Sequence, residues 1–149
     1  MKYLNEAFEK KLSEYNGNEK KYSGKLFENL VFMLLKDTFP TFNWKDTPIT
    51  HDGSKDFYAQ KDDRIYWAEC KNYKDKISLQ IIAPTLVMAQ LCNVDEIYFF
   101  SRSEINEKVK KKLCYYAHIN RKKIRVYDDI ALEQFIFNDK KGLELFFKE

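Results

Sequence analysis

Residues 51–71 read HDGSKDFYAQKDDRIYWAECK, and the alternation of apolar and charged positions here decides how the rest of the chain is read. Ile65, Tyr66 and Trp67 are bulky β-formers, so Arg64–Lys71 is expected as a strand. Successive side chains of a strand point to opposite faces, which puts Glu69 and Lys71 on one face and Cys70, a small apolar filler, on the other. A first strand is expected over residues 56–60, opened by Asp56, with Lys61, Asp62 and Asp63 as the polar turn between the two. Such a hairpin brings Asp56 near Glu69. Two carboxylates converging at strand ends suit a hard divalent cation such as Mg2+, which takes oxygen ligands and keeps waters for a substrate to displace. Lys71, one pleat beyond Glu69, would then hold or deprotonate a water.

Asp56 followed by Glu69-Cys70-Lys71 resembles the signature of the PD-(D/E)xK nuclease superfamily, and the wider pattern is similar to its Mrr-like restriction endonuclease branch. Gly24, Phe27 and Glu28 match that branch's helix carrying G-x-x-F-E. Asp52, Gly53 and Asp56 match its D-G-G-x-D turn, and Glu69 and Lys71 match a strand ending in (Q/E)-x-K. Ser54 replaces the second glycine, Lys55 stands where the superfamily's name puts proline, and Glu69 stands where Mrr-like members often carry glutamine. None of these changes removes a ligand. With 33% of residues charged, the Asp and Glu-x-Lys spacing alone is a weak signal, and its weight comes from the order of elements over residues 23–137. The resemblance implies a divalent ion, Mg2+ or in its place Mn2+, held by Asp56 and Glu69. The carbonyl of Cys70 would be a further oxygen ligand, and Glu28 would act directly or through water. Lys71 would orient or deprotonate the attacking water.

The 149 residues make one ordinary domain, 1–149, long enough to bury a core, and 44% hydrophobic with 16% aromatic residues argues against disorder. The net charge of +3 is mild, so any polyanion binding must come from local clusters. Cys70, Cys92 and Cys114 are odd in number, lack CxxC spacing and lie in apolar runs, which reads as reduced thiols in a cytoplasmic protein and implies no zinc site. No signal peptide or membrane-spanning run is visible.

Outward from the hairpin, Leu4, Phe8 and Leu12 recur four apart and predict an amphipathic helix within an N-terminal extension, 1–20. Ser23 is read as the N-cap of a second helix to about residue 37, with Leu26, Phe27, Leu30, Val31, Leu34 and Leu35 as its apolar stripe and Glu28 at the stripe's edge. A short strand is expected over residues 41–44. His51 reads as a polar surface residue. Leu79, Ile82, Leu86 and Ala89 predict a helix that Pro84 kinks or that starts near Ala83, and Gln80 at its beginning is either an auxiliary group at the metal or a polar first-turn residue. Ile97, Tyr98, Phe99 and Phe100 run without alternation, as in a strand buried on both faces. Ser103 is read as the cap of a helix over residues 104–119, residues 124–127 as a last strand, and Asp128 or Asp129 as the cap of a helix through Phe137. Residues 138–149 read as a linker or docking tail because of Phe146 and Phe147.

The pattern predicts an α/β fold of restriction-endonuclease-like type, a mixed five-stranded sheet flanked by helices on both faces. By resemblance, the expected activity is Mg2+-dependent endonucleolytic hydrolysis, most simply of double-stranded DNA by a restriction or defence-type nuclease domain. The alternatives are an inactive nucleic-acid-binding or assembly module on the same fold, or a nuclease for RNA or branched DNA. Lys108, Lys111, Lys112, Lys122 and Lys123 are the candidate DNA-backbone contacts, set against a plain solvated helix face. A homodimer, or further domains or a partner supplying specificity, is left open; no membrane partner is expected.

Overall fold

The computed structural model describes residues 2–14, 19–46, 56–73, 76–139, 141 and 144. The DGSK turn, His51, Thr47, Pro48, Gly142, Phe146 and Phe147 fall outside the described residues, as do the side chains of Leu4, Phe8 and Leu12. In chain order the elements are α1 Lys2–Ser13, α2 Glu19–Thr38, β1 Lys45–Asp46, β2 Phe57–Lys61, β3 Arg64–Lys71, α3 Leu79–Leu91, β4 Glu96–Ser101, α4 Glu107–Ile119, β5 Lys123–Asp128 and α5 Asp129–Phe137.

The hairpin anchors the sheet. β2 pairs antiparallel with β3, Phe57 opposite Ala68 and Lys61 opposite Arg64, and Asp62 and Asp63 close it with φ of 51° and 64°. Two successive residues at positive φ are what a two-residue turn needs to match the right-handed twist of its strands. The first strand therefore starts one residue later than expected, but Asp56 stays at its mouth, its N–H donating to the carbonyl of Ala68 at 2.9 Å. β1 adds antiparallel to β2, while β4 and β5 add parallel to β3, giving the order β1-β2-β3-β4-β5. This is the expected mixed sheet.

Alternation then sorts the cores. Tyr66, Ala68, Tyr98 and Phe100 face α2 and α5, where Phe27, Leu30, Leu34 and Phe135 are buried. Trp67, Ile97 and Phe99 face α3 and α4, where Ile82, Ala89, Val109 and Leu113 are buried. β3 and β4 are thus covered on both sides, as apolar runs require, whereas β2 alternates buried Phe57 and Ala59 with exposed Tyr58 and Gln60. The six apolar positions read on the second helix are all buried.

Several boundaries differ from expectation, each for a local reason. α2 begins at Glu19, and the Ser23 hydroxyl, inside the helix, accepts from Asn72 instead of capping. Residues 41–44 are not a strand: the N–H of Phe42 closes a turn on the carbonyl of Phe39 and Asn43 has a φ of 55°, so Phe42 and Trp44 serve the core as anchors on a turn. α3 starts at Leu79, and Pro84 is accommodated inside it. α4 is capped by Asn106, whose side chain accepts from the N–H of Lys108, because residues before it are committed elsewhere: Ile105 bridges Ile77, and the Ile105 N–H donates to Asp128 Oδ2 at 2.6 Å. That bond explains why Asp128, although at the N-cap position of α5, makes no capping bond. Cys70, Cys92 and Cys114 are free thiols, and no helix among the described residues is long and apolar enough to cross a membrane.

Candidate active site at the carboxyl end of the sheet

The three parallel strands end in one row. Lys71 is in register with Ser101, and Ser101 with Asp128. In open α/β sheets the carboxyl ends of parallel strands are where ligands bind, because the chain departs there into loops that leave a crevice. Glu69 and Lys71 lie in this row, and the β2–β3 pairing brings Asp56 to it.

The pleat dictates the geometry. Lys71 Nζ donates to Glu69 Oε1 at 2.8 Å, so the two share a face as their spacing requires. The N–H of Cys70 donates to Asp56 Oδ2 at 2.6 Å, which fixes the Asp56 carboxylate against the β3 backbone. Glu28, on the edge of α2, lies near enough to Asp56 for the Asp56 carboxylate to raise it. The helix-edge Glu28 thus lies within electrostatic reach of Asp56.

Burial and crowding raise all three acids. Glu69, 3% exposed, is pushed up to about 8, first by burial and then by the Asp56 carboxylate, against the pull of Lys71. Glu28 is pushed up to about 7, by burial and then by Asp56. Asp56 is raised by burial, with the Cys70 N–H and Lys71 pulling it down. The Cys70 thiol is driven well above its ordinary value, first by burial and then by the same three carboxylates. Among the described residues, Glu69 Oε2 is buried with no hydrogen-bond partner. A buried carboxylate oxygen without a donor costs on the order of 1–3 kcal/mol or more when charged, and a cation would remove that cost.

A divalent ion tests well against this donor set in chemistry, though the set is small. Asp56, Glu69 and the carbonyl of Cys70 are hard oxygen donors, as Mg2+ prefers, and the unmatched oxygen of Glu69 is one that an ion would satisfy. Among the described residues no group of three or more His, Cys, Asp and Glu side chains is disposed to hold a metal, so Glu28 stands as a neighbouring charge on Asp56. Mg2+ sites commonly use one or two carboxylates and complete their shell with water and phosphate oxygens.

Other candidates scatter. Gln80 is exposed in the first turn of α3, at the site's end of the sheet. The basic stretch is divided by the length of α4, about 20 Å for 13 residues. Lys108 lies at its N-terminus, beside the carboxyl row, and Lys111 and Lys112 are exposed along it. Lys122 and Lys123 lie at the opposite end: Lys122 Nζ donates to the carbonyl of Val94, and Lys123 pairs with Glu96 at the start of β4. Lys110 is occupied by Asp128 at 3.1 Å.

Sequence reading missed Arg102, Asn72 and Ser23 as neighbours of the site. Arg102 Nη1 donates to Asn72 Oδ1 at 2.9 Å and to Ser23 Oγ at 3.2 Å. The signal that could have found them was Ser101-Arg102-Ser103 directly after an apolar strand, an abrupt polar stretch at a carboxyl end.

No protein-family model and no curated protein matches this chain in sequence. Among solved structures, the fold is similar to that of the MspJI restriction endonuclease in complex with a 27-mer oligonucleotide, with a TM-score of 0.54 at 8% identity over 92% of this chain. The match spans 31% of that protein's chain. At such low identity the likeness speaks to architecture, and the architecture of this chain is restriction-endonuclease-like.

Proposed function

We propose that this chain is a Mg2+-dependent endonuclease of the PD-(D/E)xK type, most akin to the Mrr-like branch, that hydrolyses phosphodiester bonds in double-stranded DNA. The observation that carries the reading is the buried Glu69, raised to about 8, with one oxygen on Lys71 and the other unpartnered among the described residues, beside Asp56 at the carboxyl end of a parallel strand. Asp56 and Glu69 would hold the ion, with the Cys70 carbonyl as a third donor. A divalent ion bound there supplies a Lewis acid for a phosphoryl oxygen and makes water a better nucleophile at neutral pH. The Cys70 N–H keeps Asp56 oriented, so the carboxylate needs no rearrangement before use. Lys71, held at 2.8 Å from Glu69, can turn its ammonium to a water or a phosphate oxygen within the same cleft.

The test is nicking of supercoiled plasmid with Mg2+, Mn2+ or EDTA. Open-circular and linear product should form with either metal and not with EDTA, and Lys71→Ala should slow single-turnover cleavage by roughly 100-fold or more, the usual range for a proton-transfer group. Metal-independent nicking, or full activity in Lys71→Ala, would refute the reading. A second reading, nucleic-acid binding without cleavage, is favoured by the fact that no three-side-chain metal group occurs among the described residues. Duplex binding with no nicking in either metal is its outcome.

A further inference from the structure

Residues 77–94 read ISLQIIAPTLVMAQLCNV, without one charged side chain in a chain that is 33% charged, and α3 is built from them. A helix apolar all round belongs in an interior, whereas a surface helix keeps charges on its outer side. α3 is a surface helix with the composition of an interior one. Its inner side buries Ile82, Leu86 and Ala89 in the core it shares with α4, while on its outer side Val87 is 59% and Leu91 71% exposed. Gln80, Pro84, Val87 and Leu91 recur at spacings of four, three and four, so the outer side is one continuous neutral stripe.

Along that stripe α3 and α4 part to leave a groove of about 480 Å3, lined by Leu79, Ala83, Leu86 and Tyr116 and edged by Val87 and Leu91. Its polar atoms are turned on one another: the Tyr116 hydroxyl donates to the carbonyl of Leu86 at 3.1 Å and lies 3.2 Å from Gln90 Oε1. Ile119, one turn on from Tyr115 and Tyr116, extends the apolar face along α4, and Ile119 and Tyr115 are both more than half exposed. Whatever covers this face has to be apolar and cannot be basic. Among the described residues Lys112 is the only charged side chain lining the groove, and Lys108 and Lys111 are exposed on the same helix. A second α3, apolar and uncharged, meets both demands.

It also supplies the shape. Helices pack by setting the side-chain ridge of one into the groove of another, and here the ridge of Val87 and Leu91 runs beside a groove formed by the same turns of α3, so the two match in length. Two 13-residue helices side by side, each about 20 Å long and about 10 Å across, present roughly 400 Å2 in projection, and side-chain relief raises the accessible area above that. Specific interfaces begin at about 600 Å2 on each partner, so the face suffices for a dimer that dilution dissolves. We propose that the α3–α4 face is the interface of a symmetric homodimer, in which the Val87–Leu91 ridge of each copy enters the groove of the other about a two-fold axis near Val87. Each Lys112 stays at the rim, opposite neutral side chains. Because α3 follows the strand that carries Glu69 and Lys71, pairing through it holds two carboxyl rows on one particle. The proposal does not depend on the cleavage chemistry.

The test is the mass of the full chain, by sedimentation or light scattering, over a dilution series from about 1 to about 200 μM. The parent should pass from the mass of one chain to that of two as concentration rises. The dimer should persist from about 0.1 to about 1 M NaCl, because salt does not screen an apolar contact. Val87→Glu and Leu91→Glu should each pair at least roughly tenfold more weakly, since pairing would bury an unmatched charge, with the melting temperature of the dilute chain unchanged. Gln60→Glu adds the same charge on the exposed side of β2 and should pair like the parent. A parent that is monomeric at every concentration overturns the proposal and leaves the groove to another occupant. A dimer that salt dissolves, that both Val87→Glu and Leu91→Glu leave intact, or that Gln60→Glu breaks equally overturns it too. If the two groove variants do not fold, Val87→Ser takes their place, and parent-like pairing in it is then the overturning result.

Discussion

Glu69 carries the sharpest physical consequence in the molecule. Its folded value of about 8 lies above the ordinary glutamate value of 4.5, and Glu28 at about 7 is displaced the same way. Between these values the folded protein holds more protons than the unfolded chain, so stability is greatest at the acid end of that window and falls as pH rises from about 4.5 to 8. In EDTA the melting temperature should therefore drop between pH 5 and pH 8, and Glu69→Gln should remove most of the drop; an equal drop in that variant would show the burden lies elsewhere. A divalent ion should also narrow the drop, since it replaces the proton at the same oxygens. The neighbouring side chains part by role. Asp56→Asn and Glu69→Gln remove ligand charge and should weaken calorimetric Mg2+ binding, whereas Lys71→Ala removes a cation 2.8 Å from Glu69 and should leave binding intact or tighter while cleavage is lost. Loss of metal binding in Lys71→Ala as severe as in Asp56→Asn would reduce the three to a structural charge cluster. That Glu69 and Lys71 share a face was legible in the sequence, because period-two alternation fixes which strand residues do so, and the expected hairpin accounts for Asp56 lying beside them. Arg102 was not, because its partners are 30 and 79 residues away and no local pattern encodes such a meeting.

At the scale of elements, the β2–β3 hairpin is closed by two aspartates at positive φ, a conformation in which non-glycine residues are strained by on the order of 1 kcal/mol each. Replacing Asp62 and Asp63 with Asn-Gly, the pair that this turn accepts most readily, should raise the urea midpoint by an amount equivalent to about 1 kcal/mol with the m-value unchanged. A lower midpoint would mean that the aspartates hold the turn through contacts beyond their backbone. The sequence marked these residues as a turn, but a run of charges cannot tell which residues bend and which still pair. Capping was less legible for a related reason. Ser23, Ser103 and Asp128 were all sound caps by type, yet tertiary partners took Ser23 and Asp128, and the bridge between Ile77 and Ile105 delayed α4 to Asn106. The basic stretch shows the same limit: its residues are close in number but are spread to both ends of α4, so a single phosphate track cannot meet Lys108 and Lys123 together at the carboxyl row.

The whole molecule is two cores on one sheet, and that layering was readable because an unalternating β4 and an alternating β2 demand two covered faces at the centre and one at the edge. A shared central strand couples the two cores. β3 sends Tyr66 and Ala68 into the core against α2 and α5, and Trp67 into the core against α3 and α4. Neither core can melt without exposing the back of the strand that builds the other, so the chain should unfold as one unit even though its helices form two layers. The two tryptophans of the sequence make this measurable, since Trp44 lies in the first core and Trp67 in the second. Trp67→Phe leaves Trp44 as the only tryptophan reporter of its layer, and Trp44→Phe leaves Trp67. Trp44 Nε1 has no hydrogen-bond partner among the described residues, so its replacement costs packing volume and no bond seen there. Each variant's fluorescence midpoint in urea should coincide with its own far-ultraviolet circular dichroism midpoint, a comparison that cancels whatever stability the substitution itself removes. Coincidence in both variants is the expected result. A fluorescence transition that precedes loss of secondary structure in one variant only would show that one helical layer detaches while the sheet persists, and the carboxyl row of the strands would then rest on the other layer alone.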